Sequence, residues 1–192
     1  KSGSRNLFLD KKGELGLSAL AYQFLGGILH NAPALCSIFN PTVNSYKRIN
    51  APATQSGATW APNTVTYGGN NRTHMVRIPD PGRFELRLMD GATNPYLMAA
   101  GVIAAGLDDI AHQRDPGKRL DIDMYAEPHK ARGARKLPLN LLDALRLTQK
   151  SRILRDAMGG ELIDSYVKLK MLHWDEHCHH LSDWERAQTL DC

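Results

Sequence analysis

The stretch Arg83-Phe84-Glu85-Leu86-Arg87-Leu88 decides how the rest of this chain is read. As a β-strand it places Arg83, Glu85 and Arg87 on one face and Phe84, Leu86 and Leu88 on the other, because strand side chains alternate. Just upstream, Thr73-His-Met-Val-Arg-Ile78 alternates as well, with Met75 and Arg77 sharing one face. The turn former Pro79-Asp-Pro-Gly82 separates the two runs, so together they predict a β-hairpin. A carboxylate between two guanidiniums has two readings. One is a solvated face whose charges pair along the strand; the other is a site for an anion and a metal ion.

Composition narrows the setting. The chain has 192 residues, 42% of them apolar and 23% charged, enough to bury the core of one domain or of one large piece of a domain. It contains no apolar run long enough to span a bilayer, and its polar, glycine-rich start does not resemble a signal peptide, which argues against a membrane partner. Cys36, Cys178 and Cys192 are too scattered for a disulfide framework or a CxxC metal site. That suits a reducing compartment, and the cytoplasm is the expected location. A net charge of +4, with the arginines gathered in one region, argues against nucleic acid as a partner.

Working outward from the hairpin, helical spacing predicts a helix from Leu17 to about His30. Residues 31–71, rich in Pro, Asn, Thr, Ser and Gly, read as long binding loops. Asn94 and Pro95 open a strongly apolar helix, PYLMAAGVIAAGLDDI, expected to be buried. Residues 112–138 read as an exposed excursion. Leu139 to Ala157 and Glu161 to about Cys178 read as two helices separated by Gly159-Gly160. The sum is an α+β fold, with antiparallel strands flanked by helices and a helical C-terminal region.

Most of Lys47, Arg48, Arg72, Arg77, Arg83 and Arg87 lie in or beside the predicted loops and strands. Guanidiniums offer planar donor forks that match carboxylates and phosphates, so several of them converging would hold a polyanion. A single Glu85 cannot neutralise them all, but a hard divalent cation bridging it to a phosphate would account for its position.

These residues also carry a family resemblance. Asn40-Pro-Thr-Val-Asn-Ser-Tyr-Lys-Arg48, Asn71-Arg-Thr73, Val76-Arg-Ile-Pro79, Arg83-Phe-Glu-Leu-Arg87 and Asp90-Gly-Ala-Thr-Asn-Pro-Tyr-Leu97, continuing through Ala104-Ala-Gly-Leu-Asp108, resemble the signature of the glutamine synthetase superfamily in its order. The resemblance spans nearly the whole chain and implies a ligase that spends ATP to phosphorylate the γ-carboxylate of glutamate, after which an amine displaces the phosphate. It implies that Glu85 is a ligand of Mg2+ or Mn2+ and that Arg48 and Arg87 grip the carboxylates of glutamate. It further implies that Arg72 and Arg77 stabilise the transferring phosphoryl group and that Arg83 touches the nucleotide. The implied assembly is a ring-shaped homo-oligomer such as a dodecamer.

The sequence departs from the family pattern in two ways. Where ordinary members carry a glutamate twelve residues before the arginine of the Asn-Arg-Thr motif, this chain has Trp60. An indole cannot act as a base, but its face holds an alkyl group or an alkylammonium ion. The surrounding text resembles the branch of γ-glutamylmethylamide synthetases and glutamine synthetase III-like ligases, which favours methylamine over ammonia as the small amine. Second, the resemblance assigns residues 1–192 to the C-terminal portion of the catalytic domain, without the N-terminal β-grasp domain and the remaining acidic ligands. This chain alone is accordingly expected to be inactive.

Two alternatives of different kind accompany this reading: an ammonia-using glutamine synthetase, and a non-catalytic assembly protein that keeps the fold. Other signals have plainer explanations. His173 and His177 near Glu176 and Cys178 do not make HExxH and read as a polar helix end. Ser165-Tyr-Val-Lys168 matches SxxK by helical chance, and Gly68-Gly69 reads as a loop bend because no phosphate-loop lysine follows.

Overall fold

The computed structural model describes residue 3 and residues 5–51 and 61–189. Its first long helix, α1 (Ala19–Phe39), starts where the Ser18 side chain accepts the Ala21 N–H. It runs nine residues beyond the expected end at His30, straight through Pro33. Proline has no N–H to give the carbonyl four residues back, a loss that usually ends or kinks a helix. Here that carbonyl, of Leu29, accepts Nη2 of Arg135 at 2.7 Å, and the His30 carbonyl accepts Nη1 of the same guanidinium at 3.2 Å. A side chain from over a hundred residues away thus replaces the missing bond.

The stretch 31–71, expected to be loops, needs a second correction. A short helix, α2 (Val43–Ile49), begins at a reciprocal cap: Thr42 Oγ1 accepts Ser45 N–H, and Ser45 Oγ accepts Thr42 N–H. Serine at the third helical position in place of Glu or Gln hid that cap in the sequence. Residues 52–60, including Trp60, lie outside the described residues.

The hairpin is present. Strands β1 (Tyr67–Gly68), β2 (Val76–Asp80) and β3 (Arg83–Leu86) form a sheet in the order β1-β2-β3. β2 and β3 are antiparallel, with Val76 opposite Leu86 and Arg77 opposite Glu85. β1 lies parallel to β2, so the sheet is mixed rather than wholly antiparallel. Gly82, at φ 75°, makes the tight turn between β2 and β3.

Asn94 caps α3 (Pro95–His112) by accepting the N–H groups of Tyr96 and Leu97. This helix lies against α1 so closely that a Cβ on Gly27 would collide with the Ala105 carbonyl, and one on Gly106 with the ring of Phe24. Burial is confined to that contact stripe: Gly101, Ala105, Gly106 and Asp109 are buried, whereas Tyr96 is 84% and Ile103 53% exposed. The expectation of a buried helix therefore holds for one face only.

The C-terminal region is helical as expected, with one more break. Ser151 ends α4 (Leu141–Lys150) and caps α5 (Arg152–Met158), and Gly159 precedes α6 (Gly160–His179), which α7 (Asp183–Thr189) follows. Residues 112–138 are largely exposed but tied down: Tyr67 Oη donates to the Gly117 carbonyl, and Leu137 N–H donates to Asn63. Among the described residues no helix is long and apolar enough to cross a membrane.

The α1–α4–α6 seam is the centre of the core, where Leu35, Phe39, Leu141, Leu145 and Ile163 are all but inaccessible. One polar knot crosses it. Ser37 Oγ and Thr148 Oγ1 lie 2.6 Å apart, both residues 0% exposed; Thr148 Oγ1 also donates to the Ala34 carbonyl, and Tyr166 Oη donates to the Ser37 carbonyl. Replacing Thr148 with the near-isosteric Val strands the Ser37 hydroxyl, so Thr148→Val should cost about 1–3 kcal/mol in urea unfolding of the full-length protein. Adding Ser37→Ala should recover part of that loss, because removing both partners leaves nothing unpaired.

Candidate functional site

The antiparallel register that follows from the Pro-Asp-Pro-Gly turn sets Arg77 directly across from Glu85. Their side chains meet: Arg77 Nη1 donates to Glu85 Oε2 at 3.1 Å, and Arg87 Nε sits 3.3 Å from Oε1 of the same carboxylate. Both guanidiniums are largely buried, while Glu85 is 41% exposed. Each of its oxygens thus serves one arginine and keeps lone pairs for something further. Burial lowers the pKa of Arg87 from its usual value; Glu85 opposes this, and the charges of Arg72 and Arg77 add to it. Two guanidiniums, of Arg77 and Arg87, therefore share one carboxylate, with the charge of Arg72 acting on Arg87. Nη1 of Arg87 is buried and finds no acceptor among the described residues, as expected of a donor kept for an incoming anion.

Arg48 approaches from α2. Its Nη2 donates to the Leu88 carbonyl at 2.7 Å, one residue beyond Arg87, and to Asn40 Oδ1 at 2.9 Å. Burial lowers its pKa, with Asp90 acting in the opposite sense. Arg72 occupies the turn before β2, exposed and without a hydrogen-bond or ion-pair partner among the described residues.

Arg83 is not part of this group. The register sets Arg83 opposite Asp80, and Arg83 Nε and Nη2 both bond Asp80 Oδ2, at 2.9 and 2.5 Å, with both side chains well exposed. Alternation puts Arg83 on the face of Glu85, but the register supplies Arg83 with a carboxylate of its own, Asp80. At Arg83 the plain reading, a solvated ion pair, describes what is seen.

The arrangement suits an anion with several oxygens, because fixed positive groups in a partly dry setting interact strongly with charge placed among them. It fits a divalent cation less completely. Glu85 is one oxygen donor, and among the described residues no three His, Cys, Asp or Glu side chains group as a metal site. The Asn71-Arg-Thr73 motif also braces the turn that carries Arg72. Asn71 and Thr73 flank Arg72: Asn71 Nδ2 donates to the Ile122 carbonyl, its Oδ1 accepts Thr73 N–H, and Thr73 Oγ1 accepts Met124 N–H. The Asn-x-Thr spacing was a usable signal, since Asn favours such turns; the partners some fifty residues away were not.

The chain is similar to several known proteins. The family model described as "Glutamine synthetase, catalytic domain" matches residues 1–189. A curated glutamine synthetase of Rhizobium leguminosarum bv. phaseoli is 61% identical over 189 residues, covering 98% of this chain and 43% of the relative. A glutamate–methylamine ligase of Methyloversatilis universalis is 46% identical over 194 residues, again covering 98% of this chain and 43% of the relative. A solved structure described as a GmaS/ADP complex superposes with a TM-score of 0.93 at 57% identity, covering all of this chain and 44% of that one. The chain thus spans less than half the length of the relatives it matches.

The turn that carries Arg72 leads into a buried imidazole. His74 is inaccessible, its Nδ1 lies 3.1 Å from Thr66 Oγ1, and its ring packs against Gly68 so tightly that a Cβ there would not fit. Burial pushes its pKa below the ordinary 6.5, although the backbone at Ile122 and the carboxylates of Asp121 and Asp123 act against that. In the unfolded chain the imidazole takes a proton near its ordinary pKa, while in the fold it resists until lower pH. Its stabilising contribution is therefore complete above about pH 6.5 and is lost as pH falls through the folded value. The urea midpoint of the full-length protein should fall between pH 7 and pH 5, with a shallower slope for His74→Gln. Parallel slopes for the two proteins would remove His74 from the acid sensitivity.

Proposed function

Because the chain belongs to the glutamine synthetase catalytic-domain family, we propose that the full-length protein is an ATP-dependent glutamate–amine ligase using methylamine, with residues 1–192 forming the C-terminal portion of its catalytic domain. The observation that carries this is the pairing of Arg77 and Arg87 on Glu85, with the charge of Arg72 acting on Arg87 and a buried Arg87 donor left over.

In this reading a γ-carboxylate oxygen of glutamate attacks the terminal phosphorus of ATP, the bond to the ADP oxygen breaks, and an acyl phosphate forms. The amine nitrogen then attacks the acyl carbon, the carbon–oxygen bond to phosphate breaks, and the nitrogen releases a proton. Arg72 and Arg77 hold the phosphoryl oxygens as charge shifts onto them and onto ADP. Arg87 and Arg48 grip the carboxylates of glutamate by two-point contacts. Arg83, released from Asp80, contacts the nucleotide. When bound, Mg2+ or Mn2+ supplies further positive charge at the phosphate oxygens, and Glu85 is the residue of this chain that would hold it. The family likeness also points to a ring-shaped homo-oligomer in the cytoplasm.

Methylamine rests on Trp60, whose indole suits a cation bearing a methyl group, and on the 46% likeness to a glutamate–methylamine ligase. An ammonia-using glutamine synthetase is the second reading, favoured by the 61% likeness to a protein of that name. Competing the two amines on the purified full-length protein separates them. One buried methyl typically gives roughly 10–200-fold discrimination, so methylamine should lead in kcat/KM by about that factor. Trp60→Glu should then shift preference toward ammonia. Equal use of both amines by the unmodified protein would return the assignment to ammonia.

The glutamate grip has its own test. Arg87→Lys keeps the charge but loses the planar fork, so glutamate kcat/KM should fall on the order of 10–1000-fold. Unchanged glutamate kinetics would take Arg87 out of the site.

A further inference from the structure

Among the described residues, guanidiniums are held by acceptors of two chemical kinds, charged and neutral. Several away from the site pair with carboxylates: Arg114 with Asp108 and Asp109, Arg119 with Glu14 and Asp121, Arg155 with Asp164. Within the site two of them lean on neutral amides. Asn40 Oδ1 accepts from Arg48 Nη2, and Asn70 Oδ1 accepts from Arg77 Nε, both at 2.9 Å. Asn40 is fully buried, with its Nδ2 directed at Cys36 Sγ, 3.8 Å away. Asn70 is exposed and sits in the bend after β1.

An amide oxygen and a carboxylate oxygen fix a guanidinium's orientation about equally well, but only the carboxylate cancels its charge. Arg72, Arg77, Arg87 and Glu85 carry +3 and −1, a net +2. A carboxylate in place of Asn70 would halve that. Glu85 already serves both Arg77 and Arg87, so a second acid would leave little field for an anion. The amides therefore resolve a conflict between holding the arginines still and keeping them charged.

We propose that Asn40 and Asn70 are positioning residues that orient Arg48 and Arg77 without neutralising them, leaving the positive charge for the anionic substrates. This rests on the reading above, in which those arginines meet carboxylate and phosphoryl oxygens.

Asn70 gives the cleaner experiment because it is exposed and its substitution does not disturb the core. The full-length protein is prepared unmodified, as Asn70→Asp and as Asn70→Ala, and kcat and KM for ATP are measured, with ATP affinity by calorimetry. The Asp variant keeps the shape and the hydrogen bond to Arg77 but adds charge. It should lose roughly 10-fold or more in kcat/KM for ATP, more than the Ala variant, since a blunted cationic group costs catalysis at that scale. Its loss should appear in both KM and the calorimetric affinity for ATP, whereas the Ala variant, which adds no charge, should keep most of that affinity. An Asp variant as active as the unmodified protein, or less impaired than the Ala variant, would show that only hydrogen-bond geometry matters and overturn the proposal. Equal ATP affinity of the unmodified and Asp proteins would overturn it as well. Absence of phosphate release dependent on ATP, glutamate and amine in the unmodified protein would count against the ligase reading instead. Asn40→Asp, tested in parallel, should raise the KM for glutamate more than that for ATP.

Discussion

Glu85 bridging Arg77 and Arg87 across the β2–β3 register is the interaction on which the site depends. Guanidiniums gathered on one carboxylate repel, and in a half-buried setting water relieves that repulsion poorly. One carboxylate, shared between two strands, makes the arrangement tolerable without making it neutral. Its position follows from an antiparallel pairing fixed by a tight turn, so the site's chemistry begins with Gly82 and two prolines. What remains unsatisfied, chiefly the buried Nη1 of Arg87, is the capacity left for a substrate.

Much of the surrounding fold brings distant chain to this hairpin. The polar excursion after α3 supplies the backbone at Ile122 and Met124 that grips Asn71 and Thr73 on either side of Arg72. The same excursion ends with Arg135 repairing α1 at Pro33. α1 in turn carries Phe39, whose carbonyl accepts the Asp90 N–H just past Leu88, where Arg48 docks. Packing, backbone repair and the site's geometry thus run through the same few contacts.

The sequence disclosed the hairpin because alternation and turn chemistry are local, and it disclosed the family because five short motifs keep their order. It hid what depends on contacts far along the chain. Where α1 crosses Pro33, the acceptor left free is taken by Arg135, which arrives from beyond residue 130. The apolar look of α3 said nothing about which face would be covered, and Ile103 and Leu107 stand exposed while small residues are buried. Arg83 shared a face with Glu85 by strict alternation, yet the cross-strand register supplied it with a carboxylate of its own in Asp80. The asparagines beside Arg48 and Arg77 had no signature, since neutral amides carry no charge pattern to notice.

The central claim is that this arginine group transfers a phosphoryl group to a carboxylate, and isotope scrambling reads that step directly. ATP labelled with 18O in the bridge between its β and γ phosphates is incubated with the full-length protein, divalent cation and glutamate, with no amine present. If an acyl phosphate forms reversibly while ADP stays bound, the freed β-phosphate rotates, and on reversal the label appears in non-bridging positions of recovered ATP. The account predicts scrambling that requires glutamate, proceeds without amine and is lost on Arg77→Ala. Recovered ATP with its label wholly in the bridge, from protein that still releases phosphate when amine is supplied, would contradict it.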